Sequence, residues 1–160
     1  MLVVADASPL IALVQLSHLE ILPALFGEVL IPPDVLSELR APNRSNRVRD
    51  VVNTPPSWLA VRPPSKIEPI PTLDAGETAA ICLAIELNAE LLLIDESKGR
   101  RAAVERHLTI IGTIGVLELA AYRGLLDLAD AFARLKETDF WISNELLDER
   151  LDSYLRRQKS

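Results

Sequence analysis

One cysteine, two histidines and 4% aromatic residues deny this chain the material for several kinds of protein. Cys82 alone cannot form an internal disulfide, no Cys/His zinc spacing exists, and the residue reads as a small core side chain. His18 and His107 are isolated from each other in the pattern, each on a helix surface or strand edge, so neither is expected to act as a general base. Trp58, Trp141 and the few other aromatics are too sparse to form a platform on which single-stranded bases stack. Long apolar runs are missing too. Leu91 to Ile94 and Leu108 to Ile111 fall far short of the roughly 20 residues that cross a bilayer. The N-terminal Met-Leu-Val-Val-Ala-Asp lacks the basic lead and cleavage site of a secretory signal. A cytoplasmic protein with no membrane attachment is expected. A net charge of -6 argues against a protein that coats nucleic acid, although it leaves room for a local basic rim. Arg40, Arg44, Arg47 and Arg49 form one such cluster, Lys98, Arg100 and Arg101 another, and Arg156, Arg157 and Lys159 a third. Each alone reads first as solvated surface charge.

What is present is apolar content, 49% of 160 residues, which suffices for a sizeable core in a single domain. Val3 to Ala5 is a short apolar run ending in Asp6, and Ala7-Ser8-Pro9 offers a helix start with Ser8 as cap. The pattern then predicts a helix over Ile11 to Leu25, a strand over Glu28 to Pro32 and a helix opening at Pro33. From Pro42 to Pro71, where most prolines lie, loop or irregular helix surrounds one short strand near Trp58 to Val61. Beyond Leu73 come a helix from about Asp74 to Leu87, a strand over Leu91 to Asp95, a helix from about Gly99 to Arg106 and a strand over Leu108 to Ile111. A Gly-Thr-Ile-Gly turn leads to a helix over Val116 to Tyr122. After Gly124 follow a helix, a short strand at Phe140 to Ile142 and a helix over Asn144 to Arg156. Alternating helices and doubly apolar strands imply an α/β fold of three layers around a mostly parallel sheet. One domain over 1–160 is expected, with a C-terminal helical extension from about 126.

Carboxylates punctuate this apolar pattern at four places. Asp6 and Asp95 each end a strand, and in open parallel sheets ligands bind beyond the carboxyl ends of the strands. Taken singly, either could be a turn or cap residue. Glu77 follows Asp74 at the spacing of a capping box. Yet at about 100° per residue it lines up with Ile81, Ala84 and Asn88, continuing the apolar face of its helix. Glu38 stands one turn beyond Val35 and beside Leu39 on a short apolar helix. A carboxylate on a buried face is costly unless paired, hydrogen-bonded or bound to metal. Brought together, the four would repel and raise one another's pKa values, a tension that a divalent cation relieves. Oxygen ligands favour Mg²⁺ or Mn²⁺ over zinc. Asp74 and Glu96 are further acids that could serve as ligands or stay on the surface.

With these residues in place the chain resembles the PIN-domain family of metal-dependent nucleases, which includes the VapC-like toxins of toxin-antitoxin pairs. The resemblance covers roughly residues 1 to 125 and is carried by "VVADASPLI", "LIPPDVLSEL" and "GETAAICLAIELNAELLLIDE". It is strongest toward a branch that pairs a Gly-Glu with a downstream "IDxxxGR" and "GTxGVL", here "IDESKGR" and "GTIGVL". It implies an α/β/α fold with an acidic pocket for Mg²⁺ or Mn²⁺. Carried over by position, Asp6 and Asp95 become strand-end metal ligands and Glu38 the helix-borne acid. Glu77 stands where many relatives have Asp, and Ser8 matches a hydroxyl residue that supports metal or phosphate. The implied reaction is hydrolysis of RNA phosphodiesters, leaving a 5′-phosphate and a 3′-hydroxyl. Lys98 or Arg100 would hold substrate phosphate, although Arg100 could instead pair with Glu96 four residues before it. The resemblance also implies a homodimer and an antitoxin partner bound at or near the acidic groove. Two rivals remain. Aspartyl-phosphate phosphatases need a second Asp two residues after the first, where this chain has Ser8. A PIN-like module that keeps its acids and only binds a partner is the stronger alternative.

Overall fold

The computed structural model describes residues 1–159 and divides into two compact units, Met1–Thr113 and the stretch from Ile114 onward. This division falls upstream of the position near 126 at which the sequence places its C-terminal extension. The first unit holds five strands: β1 (Val3–Ala5), β2 (Val29–Ile31), β3 (Leu59–Val61), β4 (Leu91–Leu93) and β5 (Ile110–Ile111). Their order across the sheet is β3-β2-β1-β4-β5, and every pairing is parallel. Val3, Val4, Ala5, Val29, Ile31, Leu92 and Leu93 are fully buried, because helices leave no face of the central strands to water. The expected α/β architecture with a parallel sheet flanked by helices is therefore observed. The order has one reversal: from β1 the chain builds outward through β2 and β3, then returns to place β4 on the other side of β1. The crevice between the carboxyl ends of β1 and β4 is the switch point at which such sheets bind ligands.

The helices of this unit are α1 (Ala7–Gln15), α2 (Ile21–Phe26), α3 (Pro33–Leu39), α4 (Asn46–Asn53), α5 (Ala75–Glu86) and α6 (Ser97–Glu105), and Thr113 opens α7 (Thr113–Tyr122). Three sequence expectations need correction. The helix over Ile11 to Leu25 is two helices, because Ser17 takes a left-handed turn at φ 59°. Helix α1 starts at Ala7 with Asp6 in the cap position, so Ser8 is inside the helix and does not cap it. Within 42–71 a regular helix forms, α4, begun by Ser45 accepting from the Val48 amide. The arginines there mostly tie the chain together: Arg47 donates to the Val14 carbonyl at 2.8 Å and Arg40 to that of Val52.

Helices α5 and α6 end through left-handed residues, Asn88 at φ 52° and His107 at φ 65°. In each, the following amide bonds back to the carbonyl five residues earlier, Ala89 to Ala84 and Leu108 to Ala103. This closing turn satisfies carbonyls the helix leaves open and sends the chain straight into β4 and β5. Cys82, expected in the core, is half-buried, its thiol near the Glu68 carbonyl.

In the second unit, the rest of α7 is followed by α8 (Leu128–Lys136) and α9 (Asn144–Gln158). The Tyr122 and Tyr154 rings meet edge to face at 5.6 Å, Arg150 forms a two-pronged ion pair with Glu118, and Lys136 bonds to Asp148 at 2.7 Å. The expected strand at Phe140 to Ile142 does not form. Trp141 within it is 97% exposed. No helix among the described residues is long and apolar enough to cross a membrane.

Leu93, wholly buried in β4, tests the core on which the site stands. Leu93→Ala is expected to cost about 2–5 kcal/mol, seen as a lower urea midpoint at unchanged slope. A midpoint equal to that of the wild type would show that β4 is not part of the cooperative core.

Candidate active site

The acidic residues enter the site from different parts of the chain for identifiable local reasons. Asp6 directly follows β1, and its amide still donates to the Leu93 carbonyl at 2.9 Å, so the backbone is locked to β4. Its side chain makes no capping bond to α1, although it stands at the cap position. Asp6 is 5% exposed, and its carboxylate Oδ1 has no hydrogen-bond partner. Glu38 comes from the last turn of α3, which Pro33 starts at its first position. Glu77 lies in the first turn of α5 and is 7% exposed.

The capping box weighed in the sequence is real. Asp74 accepts from the Glu77 amide at 2.7 Å, and Glu77 reaches back to the Asp74 amide at 3.2 Å. It occupies only Oε1 of Glu77. The other oxygen, Oε2, is buried without a partner, so the capping role and the buried-face argument both hold.

Gly76 explains how the acids approach one another. A Cβ built on it would stand 3.0 Å from Glu38 Oε1 and 3.6 Å from both Asp6 Oδ1 and Asp74 Oδ1. Three carboxylate oxygens from β1, α3 and the α5 cap thus surround one point that any side chain would fill. Gly99 plays the same part for Glu77, whose Oε2 lies 2.7 Å from the corresponding position. Thr72, just before this stretch, is a β-branched residue held at φ 72°, a strained conformation at the edge of the acidic cluster.

Burial, more than repulsion between the acids, dominates their electrostatics. Desolvation raises the Asp6 carboxyl to about 7, opposed by the Ala7 amide and reinforced by the charges of Glu38, Asp74 and Asp95. Desolvation also raises Glu77, with the Asp74 amide opposing and the charges of Asp74 and Asp6 adding to the rise. Glu38 is raised by burial and by Asp74, and Arg44 acts against this from an ion pair of 3.6 Å. The sequence argument named mutual repulsion as the cause, yet loss of water comes first for all three.

Asp95 is set apart from the others by its partners. It follows Ile94 at the end of β4, where Oδ1 accepts from the Thr113 amide at 2.7 Å. Its Oδ2 accepts from the Thr113 hydroxyl at 2.7 Å and from the Ser8 hydroxyl at 3.1 Å. Ser8 therefore supports the site through Asp95. Arg100 does not pair with Glu96: its side chain donates to the Ile94 carbonyl at 3.0 Å, while Glu96 caps α6 through the Gly99 amide. Lys98 is exposed in the first turn of α6.

Asp6, Glu38 and Asp74 are thus drawn to a common point, with Glu77 buried and bonded to the Asp74 amide, and Asp95 near enough for its charge to act on Asp6. Asp74, read from sequence as a cap or a spare acid, faces the same point. Thr113 was not named as a site residue, although it lies in the "GTIGVL" stretch on which the resemblance partly rests. As the side chains stand, no three His, Cys, Asp or Glu residues among those described form a closed metal-binding group. The residues nevertheless fit a hard divalent cation: the donors are all carboxylates, two buried oxygens lack partners, and Gly76 has no side chain to fill the point that Asp6, Glu38 and Asp74 surround.

A parallel sheet in this order, with carboxylates at its switch point, defines an α/β protein of PIN-like fold. The chain belongs to the PIN-domain family: the model of DUF3368, a PIN domain, matches residues 2–155. In fold it is similar to a PilT N-terminus domain protein from the hyperthermophilic archaeon Sulfolobus solfataricus P2, with a TM-score of 0.56 and 22% identity. That match covers 72% of this chain and 90% of the other. No curated protein matches the sequence. PIN domains are typically nucleases and generally use divalent metal ions.

The raised Asp6 pKa has a consequence for stability. Folded Asp6 keeps its proton to about 7, whereas the unfolded residue releases it near 3.8. Between these values the folded state binds more protons, so Asp6 lowers stability progressively as pH rises through that range. In chelator, Asp6→Asn is therefore expected to melt several degrees above the wild type at pH 8, with the difference shrinking toward zero near pH 4. Equal melting midpoints across the range would show that Asp6 is not desolvated as described.

Proposed function

We propose that this chain is a metal-dependent endoribonuclease that hydrolyses RNA phosphodiester bonds, acting as the toxin of a toxin-antitoxin pair. The observation that carries the nuclease reading is the unpartnered, buried Oδ1 of Asp6 facing Glu38 and Asp74 across the gap left by Gly76. A buried carboxylate without a partner is expensive, and one at a sheet switch point among other acids is an established kind of functional site. Asp6, Glu38, Glu77 and Asp95 would hold Mg²⁺ or Mn²⁺, with Asp74 within reach. When bound, such a cation lowers the pKa of water and offsets charge on the phosphoryl oxygens.

The chain's own groups supply the rest. The backbone bond of Asp6 to β4 ties its backbone to the strand that Asp95 follows. Ser8 and Thr113 orient Asp95. Arg100 uses one guanidinium nitrogen on the Ile94 carbonyl and has further N–H groups for a substrate phosphate. Lys98, exposed beside it, adds positive charge for the RNA backbone. The toxin role, the antitoxin partner and the homodimer rest on the resemblance to VapC-like proteins. A second reading, a PIN-like module that binds a partner without cleaving RNA, draws on one observation: Asp95 already accepts three hydrogen bonds.

Incubation of a mixed RNA pool with Mn²⁺ is expected to yield fragments with 5′-phosphate ends. Asp6→Asn and added chelator should each reduce cleavage to background. Mn²⁺ binding by calorimetry without cleavage of any RNA offered would favour the partner-binding module. Cleavage that persists in chelator would exclude the metal-dependent reading.

A further inference from the structure

Asp95 and Arg100 carry opposite charges side by side and yet do not pair. Arg100 Nη1 and Asp95 Oδ1 lie 2.7 and 2.8 Å from the point that a Cβ on Gly112 would occupy. No ion pair joins them among the described residues; Arg100 donates instead to the Ile94 carbonyl. The Asp95 oxygens are turned toward Thr113 and Ser8, which occupy three of a carboxylate's roughly four lone-pair positions. Thr113 is fully buried, and its hydroxyl donates to Asp95 at 2.7 Å. Losing that bond would leave a buried polar group unsatisfied, so the contact is held firmly. An aspartate without such a clamp is free to rotate into a two-pronged pair with a neighbouring arginine, the strongest geometry open to both.

We propose that Thr113 is a positioning residue that holds Asp95 out of an ion pair with Arg100. One Asp95 lone pair then stays available to a divalent cation, and Arg100 stays available to a phosphate. Gly112 belongs to the same device, since a side chain there would meet both charged groups. The inference rests on the metal-nuclease reading for its purpose, while the clamp itself is a matter of side-chain geometry.

The test uses Mn²⁺ titration of the full chain by calorimetry. Thr113→Val, which keeps the amide bond and removes the hydroxyl, is expected to weaken Mn²⁺ binding about 10-fold, within the range for groups that orient metal ligands. Thr113→Ser should bind like the wild type. Adding Arg100→Gln to Thr113→Val should recover most of the loss, because the competing partner is gone. Undiminished binding by Thr113→Val, or a double variant no better than the single one, would overturn the proposal. The ¹³C resonance of the Asp95 carboxyl in chelator provides a readout independent of metal. It should move on Arg100→Gln only when Thr113 is replaced by Val; movement on the wild-type background as well would show that no clamp exists. A wild type that binds no Mn²⁺ but passes the resonance test would remove the nuclease reading and leave the clamp standing. Circular dichroism of Thr113→Val checks its fold, and Thr113→Ala, which also removes the hydroxyl and keeps the amide, carries the same test if that variant unfolds.

Discussion

Removal of water from the Asp6 carboxyl group is the constraint around which the first unit is arranged. Asp6 directly follows the central strand, with its backbone bonded to β4 and helices packed on both faces of the sheet. A chain that only needed a stable sheet would place an apolar residue or an exposed turn here. Instead it buries an ionisable group, leaves one of its oxygens without a partner, and brings three further acids close enough for their charges to act on it or to share its space. Each of these features opposes ionisation, and in sum they oppose folding at neutral pH. A pocket so built is suited to a positive ligand, whose binding free energy stabilises the folded state through the same groups.

The acids divide into two kinds according to their partners. Asp6, Glu38 and Glu77 are raised in pKa, chiefly by burial, and two of them carry an orphaned oxygen. Asp95 instead accepts hydrogen bonds from an amide and two hydroxyls. One residue is thus held in place by its partners while Asp6 and Glu77 are buried with oxygens to spare. The glycines make this arrangement possible by occupying no space: Gly76 lies among Asp6, Glu38 and Asp74, and Gly99 lies against Glu77.

Much of this was legible from the amino-acid order. The strand and helix alternation appears as apolar runs of strand length between helical periodicities, and α3 and α5 begin where proline and the Asp-x-x-Glu box place them. Asp6, Glu38, Glu77 and Asp95 stood out because each interrupts an apolar pattern. The misjudged elements share a different cause. The break at Ser17, the lack of a strand at Phe140 to Ile142 and the regular helix α4 depend on which contacts are available, and local propensity does not report those. Arg100 was assigned either phosphate or Glu96 as partner; it took the Ile94 carbonyl, an option visible only when the strand end and the helix are placed side by side.

By itself the sequence determined the chemistry on offer: hard oxygen donors, no thiol or histidine cluster, and short apolar strands whose ends carry carboxylates. Period and spacing are local properties, and they survive without knowledge of the fold. Only the tertiary structure decided which acids share a point, that Asp74 is among them, and that Thr113, eighteen residues beyond Asp95, is its hydrogen-bond partner. Those facts follow from the strand order β3-β2-β1-β4-β5, which brings residues from distant parts of the chain to one edge of the sheet. Hydrogen bonds and desolvation act over a few ångströms of space, whatever the separation along the chain.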